Sequence, residues 1–76
     1  MLNIMTVIIE LRDDGVYHIG VTDGENDLFI FRCNSYGAAE ECATEFKKWL
    51  EEMRRKKGGP WLVCGSPRLR KHFRVQ

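Results

Sequence analysis

The stretch Ser35–Gly59, SYGAAEECATEFKKWLEEMRRKKGG, decides how the rest of the chain must be read. Apolar residues recur in it at steps of three and four: Tyr36, Ala39, Ala43, Phe46, Leu50 and Met53, with Cys42 and Trp49 widening the stripe. That spacing places them on one face of an α-helix, the face that packs on a core. Ser35 is positioned to accept a hydrogen bond from an amide of the first turn, and Ala38 at the third helical position excludes a capping box. Gly58-Gly59-Pro60 ends the helix, because glycine takes the left-handed conformation of a C-cap and proline cannot continue the hydrogen-bond ladder. Glu40, Glu41 and Glu45 open the exposed face and Arg54, Arg55, Lys56 and Lys57 close it, an order that complements the helix dipole. Glu51 with Arg55 and Glu52 with Lys56 stand at the favourable i,i+4 spacing.

Upstream of the helix the period changes from 3.6 to 2. In Ile4–Arg12, Val7, Ile9 and Leu11 form an apolar face, while the face of Ile8, Glu10 and Arg12 turns polar toward its end. Asp13-Asp14-Gly15 reads as a tight hairpin turn. Val16–Thr22 is a second strand that turns Tyr17, Ile19 and Val21 inward and leaves His18 and Thr22 on the opposite face. The polar run Asp23–Asp27 reads as a second turn. It lacks the twelve-residue pattern of a calcium loop, because Leu28–Phe31 at once become apolar. A third strand, Leu28–Cys33, carries four large apolar residues in succession, which predicts cover on both faces, one from the helix and one from a partner or tail segment.

Beyond the helix, Trp61–Cys64 reads as a short fourth strand closed by Gly65-Ser66-Pro67. Residues 68–76 read as a basic C-terminal strand or extended tail. The expected fold is α+β: a three-stranded antiparallel meander, one long helix packed on one face, then one or two short C-terminal strands. Two hairpins and a right-handed crossover predict the sheet order 3-2-1-4, with the basic helix end near the Asp23–Asp27 turn.

At 76 residues the chain has room for one domain, residues 1–76, and homodimerisation would help a core this small. A composition 43% hydrophobic with all three aromatic types lies far from that of disordered chains. Met1–Leu11 is too short and mixed for a membrane span and lacks the marks of a signal peptide, so a cytoplasmic protein without a membrane partner is expected. Cys33, Cys42 and Cys64 are odd in number, lie in apolar runs and form no Cys-x-x-Cys, which argues against a disulfide framework. Together with His18 and His72 they offer no short zinc-ligand spacing, and neither histidine has a nucleophile or acid at a telling distance. The sequence thus nominates no catalytic residue, no metal ligand and no cofactor, and the expectation is a protein that is not an enzyme.

The formal charge of +1 conceals a polarised chain. Residues 1–53 hold all eleven acids and four bases, a net of −7, and residues 54–76 hold eight bases and no acid. Two function classes fit this distribution. A nucleic-acid-binding module would contact phosphates through Arg54, Arg55, Lys56, Lys57, Arg68, Arg70, Lys71 and Arg74, although a pI of about 7.7 is low for such a domain. A protein-binding accessory or inhibitor would instead present Asp13, Asp14, Glu40, Glu41 and Glu45, with the exposed apolar strand, to a larger protein or nucleoprotein partner.

The second class gains from a resemblance. The hairpin Gly15-Val16-Tyr17-His18-Ile19, the helix opening Ala38-Ala39, and the closing Pro60-Trp61-Leu62-Val63-Cys64-Gly65-Ser66 followed by Phe73-Arg74-Val75 resemble small phage-encoded accessory proteins, including anti-CRISPR inhibitors. The resemblance implies a non-enzymatic inhibitor of a larger assembly and transfers no site residue to this chain.

Overall fold

A computed structural model describes residues 3–71, Lys71 by its backbone alone. The elements follow the order β1 (Asn3–Leu11), β2 (Tyr17–Thr22), β3 (Asp27–Cys33), α1 (Tyr36–Lys57), β4 (Trp61–Val63) and β5 (Arg68–Lys71). β1, β2 and β3 form the antiparallel meander that the two turns require. β4 then pairs in parallel with the first part of β1, Asn3–Met5, giving the order β3-β2-β1-β4. β5 pairs in parallel with the later part of the same strand, Ile8–Leu11. One long strand is therefore flanked along one edge by two short ones, separated by the Cys64–Pro67 link.

α1 lies across one face of the sheet and touches β1, β2, β3 and β4. The core between them is Val7, Ile9, Ile19, Val21, Ala39, Ala43 and Phe46, so the period-2 and period-3.6 faces meet as expected. Ala39 and Ala43 are fully buried, and their small side chains let the helix settle close to β1 and β2. Ser35 accepts a hydrogen bond from the Ala38 amide at 3.3 Å. Gly58 takes φ 70° and donates its amide to the Arg54 carbonyl, which satisfies one of the last free acceptors of the helix.

Three expectations are corrected. Trp49 is not part of the packed stripe: it stands 54% exposed at the rim of the helix, stacked on Phe46 at 6.2 Å. β3 is the outer strand of the sheet among the described residues and is covered only in part: α1 reaches it at Phe31, and Arg70 of β5 reaches Asp27 and Phe29 on the other face, yet Leu28, Ile30 and Phe31 stand 61%, 52% and 40% exposed. On the helix-free face of β1, Ile8 and Glu10 are buried rather than turned to water. Between β2 and β3 the register shifts: Ile19 faces Phe31 and Gly20 faces Phe29, leaving Ile30 as the extra residue of a bulge. Gly20 is needed there, since a Cβ would strike the Leu28 carbonyl and the Phe29 Cα.

Candidate interaction surfaces

The helix-free face carries an ion-pair network that the sequence did not reveal. Glu10, only 5% exposed, takes hydrogen bonds from Arg12 Nε at 3.0 Å and from Arg70 Nε at 3.1 Å. Burial of a carboxylate is costly unless it is paired and hydrogen-bonded, and two guanidinium groups meet that need here. Arg70 also reaches Asp27 at 2.7 Å. The Asp27 carboxyl is held below its ordinary value of 3.8, first by a hydrogen bond with the Thr22 side chain and then by Arg70. The Arg12 guanidinium lies 4.9 Å from the centre of the Phe29 ring, and that of Arg70 lies 6.0 Å away.

His18 belongs to the same face and is half-buried, where the sequence suggested a surface position. Its ring meets Phe29 edge-on at 6.2 Å, and its Nε2 is buried without a hydrogen-bond partner. Glu10, Arg12, Asp27, Phe29 and Arg70 line a shallow open pocket of about 570 Å³ on this face.

The basic residues nominated from the sequence that are described do not form one surface. Arg54–Lys57 end α1 beside the start of β1 and β4, where Arg54 Nε donates to the Trp61 carbonyl. β5 instead runs along Ile8–Leu11, so Lys71 faces Leu11 at the far end of a strand about 26 Å long. Arg70 is consumed by Glu10 and Asp27, and Lys56 pairs with Glu52 at 3.2 Å. The expected Glu51–Arg55 pair is replaced by Lys47–Glu51 at 3.6 Å. The second turn is thus met chiefly by Arg70 from β5, although the helix end had been the expected source of charge. Arg74 and His72 lie outside the described residues.

The acidic candidates gather at the Leu11 end of β1, away from Arg54–Lys57. Tyr17, which follows the Asp13-Asp14 turn, packs its ring on Tyr36 at the start of α1 at 5.9 Å, bringing that turn and the helix N-terminus to one end of the molecule. Glu40, Glu41 and Glu45 line one exposed surface with Thr44. Glu45 approaches Lys48 at 3.7 Å, a solvated pair of little weight, whereas Glu40 and Glu41 form no ion pair among the described residues. Glu40 accepts a hydrogen bond from the Tyr36 hydroxyl, which pushes the phenol above its ordinary value of 10.0.

Glu45 also borders an apolar groove of about 440 Å³ between the β3 edge and α1, lined by Ile30, Phe31, Cys42, Phe46 and Trp49. Phe31 meets Phe46 edge-on at 5.3 Å in its floor. Burial pushes the Cys42 thiol above its ordinary value of 9.0, and the neighbouring Cys33 adds to the effect. Among the described residues no group of three or more His, Cys, Asp or Glu could hold a metal ion, and no helix is long and apolar enough to cross a membrane. No known protein family, curated protein or solved structure matches the chain.

Proposed function

We propose that the chain is a small non-enzymatic binding protein of the cytoplasm, an accessory or inhibitor protein that engages a larger protein or nucleoprotein complex through its acidic end. A phage or mobile-element setting, anti-CRISPR inhibition included, enters only through the resemblance described above. The carrying observation is the exposed acidic start of α1: Glu40 and Glu41 project from it side by side without a counter-charge among the described residues, whereas Arg70 of the basic set is spent on Glu10 and Asp27. An acidic surface of this kind favours a basic partner, speeds its encounter and repels free nucleic acid. The nucleic-acid reading is the weaker one, because its described bases are split between the end of α1 and β5, and Arg70 is neutralised.

The test compares the tagged chain with a variant carrying Asp13→Lys, Asp14→Lys, Glu40→Lys and Glu41→Lys. The native chain recovers one larger protein, the variant loses it, and neither single-stranded nor duplex oligonucleotides bind the native chain at low salt. Retention of the partner by the variant sinks the acidic-end reading. Salt-dependent oligonucleotide binding abolished by Arg68→Ala would replace it with the alternative.

A further inference from the structure

The geometry points to a homodimer in which the β3 edges of two copies pair antiparallel and join two sheets into one. This goes beyond the functional reading, which uses the acidic end. Among the described residues β3 has β2 on one side and no strand on the other, which leaves its outer amides and carbonyls open to a further strand. Beside that edge lies the apolar groove of Ile30, Phe31, Phe46 and Trp49. An edge strand and a helix flank that are both apolar form a contiguous patch of the kind that marks an interaction site.

What selects a second copy as occupant is the order of residues along β3. Facing partners in β2 fix the sides: Leu28 and Phe31 lie opposite Val21 and Ile19 on the helix side, and Asp27 and Arg32 lie opposite Thr22 and His18 on the open side. A two-fold antiparallel pairing that keeps like sides together sets Leu28 of one copy against Phe31 of the other, beside the groove. The same register sets Asp27 of one copy against Arg32 of the other, and the two-fold axis makes that pair twice. Arg32 is exposed and forms no ion pair among the described residues, so the second copy supplies the counter-charge that its own chain does not. The acidic α1 N-termini then point to opposite ends of the assembly, giving two equivalent docking ends per dimer.

Sedimentation equilibrium over a wide concentration range tests this. The native chain should reach twice its 8.9 kDa mass, and Trp49→Ala should shift the dissociation constant upward on the order of tenfold. Arg32→Asp and Asp27→Lys should each give monomers, and an equimolar mixture of the two should dimerise again, because each mixed pair regains opposite charges at both positions. Far-UV circular dichroism of each variant separates loss of association from loss of fold. A chain that stays monomeric throughout overturns the proposal. So does a dimer indifferent to Trp49→Ala and Arg32→Asp, or variants that are folded yet remain apart when mixed.

Discussion

Arg70 of β5 holds Asp27 of β3 at 2.7 Å although β1 and β2 lie between their strands. The same guanidinium grips Glu10 at 2.9 Å on the way, so one side chain crosses the helix-free face and ties the last described strand to the outer edge of the meander.

Removing that tie should cost more than a surface ion pair usually does. Arg70→Ala leaves the buried Glu10 with Arg12 alone, and a loss of about 2 kcal/mol in urea denaturation is expected. Arg70→Lys should recover less than half of it, because a single ammonium cannot reproduce the fork that meets both carboxylates. A native midpoint in Arg70→Ala would mean that β5 is held by its backbone pairing alone.

The pH profile follows from carboxyls held below their ordinary value. Asp27 is lowered by Thr22 and Arg70, and Asp23 by the backbone amides of Asn26 and Glu25. A depressed folded value contributes stability that is present above the unfolded value near 3.8 and lost as pH falls through the folded one. The melting temperature should therefore hold level from neutral pH to about 4 and then fall. Asp27→Asn should flatten part of that acid decline, and superimposable profiles for the two proteins would refute the assignment.

Gly20→Ala tests the bulge. A Cβ at this position runs into the backbone of Leu28 and Phe29, which cannot swing aside as a side chain can. A loss of several kcal/mol is expected, near the upper range for single substitutions. Gly24→Ala meets no atom but still pays for its φ of 101°, and should cost about 1 kcal/mol. If Gly20→Ala proved the milder of the two in thermal melts, the close approach of β2 and β3 would not be required.

The regular elements were legible because each carried its own period and its own stops. Ser35 and Gly58 bracket the helix, and Val7 and Ile9 fall on the buried face of β1 as their alternation requires. The 3-2-1-4 order followed from chain handedness. Burial on the far face was not legible: Glu10 alternates like a surface residue, and its partner Arg70 is 60 residues away. Nor could periodicity separate Phe46 from Trp49, since both fit the stripe and only the width of the sheet beneath leaves one uncovered. The acidic residues were legible as types, but that Glu40 and Glu41 stay unpaired while Arg70 does not depends on contacts no local pattern encodes.

The double flanking of β1 has a kinetic consequence. Its second edge stays bare until β4 and β5 arrive, and the contact of Ile8 with Arg68 closes a loop through nearly the whole chain. Loops of that length are slow to close, so completion of the sheet, and not formation of the hairpins or the helix, should limit the folding rate. While the chain is being synthesised, the meander must wait with an open apolar edge on each side, which is the interval in which it is most exposed to mispairing.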